Sequence, residues 1–325
     1  MARHDLQDKS VLVTRPIPDS GITRLAAAGL AVELTWKADG LTPDQLRQRV
    51  ARHDAVLCQL TDRIDRSVLS AAAPRCRIFA NCAAGVDNID RTAAAALSIA
   101  VTNTPGVLTE TTADLTWGLL LATARRLGEA ERSLRTGAWR GWRMLDFLGG
   151  DVHGKTLGLI GAGRIATAVA RRAAGFGMRL LYHARRPAPA IETAGAAKTP
   201  LPQLLAASDF VSLHVPLTDD TRHMIDADAL ARMRPDAILI NTARGAVVDE
   251  RALIEALHAG RLGGAGLDVY AHEPRVPAEL CKLSNVVLLP HIGSATLAAR
   301  SRMADIAASN VIAVVGGNAP LNPVI

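Results

Sequence analysis

Short apolar runs alternate with stretches in which apolar residues recur every three or four positions, and this alternation continues along most of the chain. In the first third the runs are SVLVT at 10–14, AVELTW at 31–36, AVLCQL at 55–60 and RIFANC at 77–82, with helical patterns at 22–28, 45–52 and 66–73 between them. IAVTNT at 99–104 closes this part before Pro105. Strands that alternate with helices at this spacing predict a parallel α/β sheet. A long helical pattern follows at about 109–136, with Leu115, Leu119, Ala122 and Leu127 at compatible spacing, and then a glycine-marked loop through Gly137, Gly141, Gly149 and Gly150. A second series comprises TLGLIG, a helix at about 163–177, RLLYH, FVSLHVP, AILINT, AGLDVY and VVLLPH, so the second half predicts its own doubly wound sheet of six strands. A last helix is expected at roughly 295–316.

Composition narrows the class. A chain of 325 residues has room for two cores, and 49% hydrophobic with 21% charged residues excludes disorder and collagen-like fibre. The apolar runs are far shorter than the ~20 residues of a membrane span, and the first ten residues are charged rather than signal-like, so a cytoplasmic protein without a membrane partner is expected. Cys58, Cys76, Cys82 and Cys281 form no CxxC pair and have no histidine at ligand spacing, which predicts reduced thiols and no metal. The net charge of +6 is scattered, and only 3% of residues are aromatic, so no nucleic-acid partner is expected.

Chemistry concentrates in the second half. TLGLIG runs into Gly161-Ala162-Gly163-Arg164-Ile165-Ala166, a GxGxxA turn between a strand and a helix start. Gly161 allows the tight turn, Gly163 lets a pyrophosphate approach the backbone, and the small residue at 166 lets helix and strand pack closely. An acidic residue about 20 positions on would hold the ribose 2′-hydroxyl of NAD. Here the second strand ends in Tyr182-His183-Ala184-Arg185-Arg186, with two guanidinium groups and no acid, which predicts NADPH as the preferred cofactor, with NADH possible.

Three more segments place polar groups just after apolar strands: Asn241-Thr242-Ala243-Arg244-Gly245, Asp268 through Glu273, and His291-Ile292-Gly293-Ser294. Ligands of a doubly wound sheet bind beyond the carboxyl ends of its strands, so these segments are expected to converge. Taken singly, each has a bland explanation as an ion pair, a loop carboxylate or a satisfied core histidine. Together with a nicotinamide cofactor they form a set for carbonyl reduction: His291 to donate the proton, Glu273 to orient it and favour its charged form, and Arg244 to grip a substrate carboxylate.

The segments AGVDNID at 84–90, VLTETTAD at 107–114, GAGRIA at 161–166, NTARGAVVDE at 241–250, GLDVYAHEP at 266–274 and PHIGSAT at 290–296 resemble, in order and spacing, the D-isomer-specific 2-hydroxyacid dehydrogenase family, and within it the glyoxylate/hydroxypyruvate reductases, including 2-ketogluconate reductase. The resemblance implies an α/β fold of two domains: a Rossmann doubly wound parallel sheet for the cofactor, and a smaller flavodoxin-like α/β substrate domain. The substrate-binding domain would be 1–104 with 294–325, and 105–293 the dinucleotide-binding domain with a dimerisation region. It implies that Arg244, Glu273 and His291 are catalytic, that amides of Ala84 and Gly85 receive the substrate carboxylate, and that the loop of Leu60, Thr61 and Asp62 borders the pocket. Gly161, Gly163, Arg164 and Ile165 would meet the pyrophosphate, Val215 and Pro216 would line the cofactor groove, and Asp268 would approach the nicotinamide amide. Thr221, Thr242, Ala243, Gly293 and Ser294 complete the implied cofactor contacts. The long helix and the Trp139–Trp142 loop imply a homodimer. Ala166 stands where the fingerprint has its third glycine, and Ala84 where many relatives carry valine.

The expected reaction is NADPH-dependent reduction of a small 2-keto acid such as glyoxylate, hydroxypyruvate or 2-ketogluconate to the D-2-hydroxy acid. Two other readings stay open. A 3-phosphoglycerate dehydrogenase would lack here its NAD-binding acid and room for a regulatory domain. An NAD(P)-sensing scaffold like the family's co-repressors would keep the same triad, so only turnover separates it from a reductase.

Overall fold

A computed structural model describes residues 6–37 and 39–325. They divide into two compact units, one formed by the residues up to Leu108 together with Ser294–Ile325, the other by Thr109–Gly293. The first contains strands β1 (Ser10–Val13), β2 (Ala31–Leu34), β3 (Ala55–Cys58), β4 (Ile78–Asn81) and β5 (Ala100–Thr102) in one parallel sheet of order β2-β1-β3-β4-β5, the flavodoxin-like order. Successive side chains of a strand point to opposite faces, and both faces here are covered. Leu12, Val56 and Phe79 pack with Val50 and Leu69 of helices Pro43–Val50 and Arg66–Ala72. On the other face Val11, Val13, Leu57 and Ile78 pack with Leu25 of helix Asp19–Ala27 and with Ala307 and Val311 of helix Leu297–Val315. Helix starts follow capping chemistry: Thr42 and Gln45 form a reciprocal capping box, and Asp65, Asp90 and Thr296 accept backbone amides in the first turns they precede.

The second unit contains β6 (Thr156–Ile160), β7 (Arg179–His183), β8 (Ala196–Lys198), β9 (Phe210–Leu213), β10 (Ile238–Asn241), β11 (Gly264–Leu267) and β12 (Val286–Leu288), all parallel, in the order β12-β11-β10-β9-β6-β7-β8. The order reverses at β6, where β7 lies on one side and β9 on the other; this switch point is where such a sheet opens a crevice for a ligand. The sheet has seven strands, not the six expected. β8 was hidden because AAK is three residues long and has no apolar run.

The helical pattern at 109–136 is two helices, Thr109–Ala124 and Leu127–Arg135. Arg126 between them has φ 51°, and the carbonyl of Ala124 is taken by the amide of Gly150 rather than by a further helical turn. Gly149 is required there, since a Cβ would stand 2.3 Å from that carbonyl oxygen. Among the described residues no helix is long and apolar enough to cross a membrane, and no three His, Cys, Asp or Glu side chains cluster to hold a metal. The four cysteines are free thiols; burial pushes Cys76 and Cys82 up to about 12.

Candidate active site

The loop after β6 has the shape a pyrophosphate needs. Gly161 has φ 103°, and a Cβ there would come within 2.5 Å of the His214 carbonyl oxygen at the end of β9, so only glycine fits. At Gly163 a Cβ would meet nothing within 4 Å, which leaves its backbone open to approach. Gly163 is also the N-cap of helix Arg164–Ala173, with no side chain capping it, so the first amides of that helix are available to an anion. Ala166 is fully buried against the sheet. At the end of β7, Arg185 and Arg186 are exposed and make no ion pair among the described residues. The nearest acid in sequence, Glu192, accepts the Tyr182 hydroxyl instead.

A second group of side chains follows β10, β11 and β12. His291 Nδ1 lies 2.8 Å from Glu273 Oε2, and Glu273 Oε1 accepts the Tyr270 amide at 3.0 Å. Burial pushes the Glu273 carboxyl up, but the His291 hydrogen bond and charge, the Tyr270 amide and the Arg244 charge outweigh it and hold the group below the usual glutamate range. His291 has φ 53°, a left-handed conformation that costs a non-glycine residue of order 1–3 kcal/mol. The restraint comes from Asp268, 1% exposed, whose two carboxylate oxygens accept the amides of Ile292 at 2.7 Å and Gly293 at 2.8 Å. Thr112 completes the grip by donating its hydroxyl to the Gly293 carbonyl at 2.9 Å. Burial pushes the Asp268 carboxyl up, against the pull of those two amides and of the His291 charge.

Arg244 sits at the end of the segment after β10. Asn241 shapes this segment by donating to the Arg244 carbonyl at 2.9 Å and accepting the Ala243 amide at 3.0 Å, and the Arg244 guanidinium donates to the Ala243 carbonyl at 2.7 Å. Gly245 then runs against the chain at Tyr270, where a Cβ would stand 1.9 Å from the Tyr270 carbonyl carbon. That contact locks the Arg244 segment to the loop that carries Glu273.

The second unit thus contains Gly161, Gly163, Arg164, Ile165, Arg185, Arg186, Val215, Pro216, Thr221, Thr242, Ala243, Arg244, Asp268, Glu273, His291 and Gly293, whereas Leu60, Ala84, Gly85 and Ser294 belong to the first. Several of them are already engaged. The Ala243 amide is held by Asn241 and the Gly293 amide by Asp268. The Thr242 hydroxyl meets that of Thr116 at 3.0 Å, and the Thr221 hydroxyl donates to Pro216 O at 2.6 Å and so closes its own turn.

Residues 117–293 match the family model of the D-isomer specific 2-hydroxyacid dehydrogenase NAD binding domain. A glyoxylate reductase from Thermococcus onnurineus is 50% identical over 315 residues, 95% of this chain and 94% of that protein. The chain belongs to the D-isomer-specific 2-hydroxyacid dehydrogenase family. Two solved structures agree across nearly the full length: a glyoxylate reductase from Paecilomyes thermophila (TM-score 0.87, 32% identity, covering 97% of this chain and 98% of that one), and an NADPH-dependent glyoxylate/hydroxypyruvate reductase from Sinorhizobium meliloti in complex with NADP and malonate (TM-score 0.85, 37% identity, covering 97% and 96%).

This dehydrogenase is therefore an oxidoreductase with a Rossmann cofactor unit. Sequence reasoning missed three of the residues that shape its candidate site. Gly245 had a readable signal, a glycine directly after the arginine, but the close approach that demands it involves Tyr270, 25 positions on. Thr112 lies within a recognisable segment, yet its partner is Gly293. Asn241 reads from the sequence only as a polar residue after an apolar strand; its role as the brace of the Arg244 loop lies in its bonds to the Ala243 amide and the Arg244 carbonyl.

Proposed function

We propose that this dehydrogenase reduces a small 2-keto acid, with glyoxylate as the first candidate, and uses NADPH in preference to NADH; a chiral product is the D-2-hydroxy acid. The observation that carries this reading is the 2.8 Å His291–Glu273 pair, in the same unit as a glycine turn that fits a pyrophosphate and two exposed arginines where an NAD enzyme would carry an acid. The names of the relatives, glyoxylate reductase at about half identity and an NADP-containing neighbour, support the substrate class and the cofactor.

The cofactor, when bound, supplies the hydride. Gly161, Gly163, Arg164 and Ile165 hold its pyrophosphate, Arg185 and Arg186 its 2′-phosphate, and Val215 and Pro216 border its groove. His291 delivers the proton to the carbonyl oxygen. Its Nδ1 is occupied by Glu273, which leaves Nε2 as the face that transfers. Glu273, held ionised, fixes the ring orientation. Arg244 offers a planar fork that both grips a carboxylate and polarises the carbonyl beside it. The amides of Ala84 and Gly85 take the substrate carboxylate, with Leu60 beside the pocket. Hydroxypyruvate and 2-ketogluconate are further candidates by size and chemistry.

A homodimer belongs to the same reading. Leu134, Trp139, Trp142, Met144, Leu145 and Leu148 are 51–77% exposed within one stretch of the second unit, an apolar surface of the kind a second copy covers. Sedimentation of the purified protein tests it.

Initial rates of NADPH and NADH oxidation with glyoxylate, hydroxypyruvate and 2-ketogluconate test the reaction. Faster turnover with NADPH is the expected result. Measurable NADPH binding without turnover on any of the three would overturn the reductase reading and favour a cofactor-sensing scaffold.

A further inference from the structure

Three consecutive carbonyls in the turn after β4 are each captured. Ala83 O accepts the Thr104 amide at 2.9 Å, Ala84 O accepts Asn103 Nδ2 at 2.7 Å, and Gly85 O accepts Asn81 Nδ2 at 2.9 Å. In a planar trans peptide the N–H points opposite to the C=O of the same unit. Holding these three carbonyls therefore directs the N–H groups of Ala84, Gly85 and Val86 away from the ends of β4 and β5, where the three donors stand. No hydrogen bond among the described residues takes any of these amides. A run of successive backbone N–H groups turned outward is a device for receiving an anion.

The asparagines are costly residues for that place. Asn81 ends the run Ile78-Phe79-Ala80 of a strand buried on both faces and is itself fully buried; a buried amide side chain is tolerated only when its hydrogen bonds are made. Its Nδ2 also donates to Asn88 Oδ1 at 3.0 Å. The Asn88 amide in turn donates to the carbonyls of Gln59 at 3.1 Å and Asp62 at 3.0 Å. The same network thus ties the 59–62 loop, which carries Leu60, to the turn that carries Gly85.

We infer that Asn81 and Asn103 are positioning residues for the substrate carboxylate: they aim the amides of Ala84, Gly85 and Val86, and Val86 is a third carboxylate donor beside the two already assigned. This rests on the reading that the turn binds the carboxylate of a 2-keto acid. Asn103 is the residue to test, because it is only partly buried whereas Asn81 is wholly enclosed.

Asn103→Ala frees the Ala84–Gly85 peptide to rotate. The KM for glyoxylate should rise roughly tenfold or more, the worth of one charge-assisted hydrogen bond, while kcat stays within about threefold. NADPH affinity should be unchanged, and the thermal midpoint should fall by no more than a few degrees. Asn103→Gln, which keeps an amide donor, should recover part of the loss. Asn103→Asp, which sets an acceptor against the Ala84 carbonyl, should be worse than Ala. A KM within about twofold of the parent would overturn the positioning role. A crystal structure of the parent enzyme with oxalate separates the two ideas. Oxalate bonded to the Gly85 and Val86 amides, with KM unchanged in Asn103→Ala, sinks the role of Asn103 alone. Oxalate bound away from the turn overturns the carboxylate reading on which that role depends.

Discussion

Gly245→Ala is a one-methyl change whose effect follows from distances. The added carbon would stand 1.9 Å from the Tyr270 carbonyl carbon, 2.2 Å from its oxygen and 2.3 Å from the Ala271 nitrogen. All three are backbone atoms, so no rotamer can relieve the overlap. Restoring ordinary contact at 3.4 Å requires the two segments to part by about 1.5 Å. One carries Arg244 and the other carries Glu273, which is hydrogen-bonded to His291. A misplacement of ~1 Å between groups acting on one substrate costs about 10²-fold, so kcat/KM for glyoxylate with NADPH should fall by about that factor. Overpacking should also cost ~1–3 kcal/mol of stability, a lowering of the thermal midpoint by several degrees. NADPH should still bind through the glycine turn at 161–163, which follows a different strand, with only a modest weakening from the displaced Thr242–Ala243 segment. The assay is steady-state kinetics beside a thermal melt and a cofactor titration. Activity within about threefold of the parent, at an unchanged melting point, would refute the claim that this contact sets the Arg244–Glu273 geometry.

Three further outcomes are expected. His291→Ala should lower turnover by ~10²- to 10⁴-fold with NADPH binding intact, and parental turnover would remove His291 from the mechanism. The double variant Arg185→Ala with Arg186→Ala should lose the preference for NADPH with little change in the NADH rate; a preserved preference would mean that the 2′-phosphate is held elsewhere. Asp54 accepts the Ser10 amide at 3.0 Å and Arg75 at 3.2 Å, and although burial raises its pKa, these bonds hold it below the ordinary aspartate value. A depressed carboxylate stabilises fully above its unfolded pKa and loses that contribution as pH falls through the folded one. Asp54→Asn should therefore melt lower than the parent at pH 7, by ~1–3 kcal/mol, with the gap closing below about pH 4, and a pH-independent gap would contradict it.

The two sheets were legible because all-parallel strands covered on both faces read as continuous apolar runs. Among the described residues eleven of the twelve strands coincide with such runs, and β8 is missing because Ala196–Lys198 has none. The break at Arg126 escaped because helical spacing continues across it; what ends the first helix is Gly149 and Gly150, more than twenty positions later. Arg244, Glu273 and His291 were legible as polar residues just after apolar strands, and the pairing of Glu273 with His291 follows from the adjacency of β11 and β12. The residues that brace them were not. Asp268 was named as a cofactor contact but not as a brace, and like Asn241 it acts through backbone amides and carbonyls, which have no signature in side-chain identity; the same holds for Asn103 at the Ala84 carbonyl in the first unit.

The helix Leu297–Val315 closes one face of the sheet whose strands all lie before residue 103. On a ribosome those strands emerge first, and the helix that buries Val11, Leu57 and Ile78 follows the last of them only after roughly 190 more residues, about 10–40 s later at ordinary elongation rates. Throughout that interval this face of the sheet has only helix Asp19–Ala27 against it. The second unit, continuous in sequence, has no such wait. The nascent first unit is therefore the stage at which its apolar surface stands most open, and a chain that stops before residue 297 is expected to aggregate even though every strand of both sheets has been made.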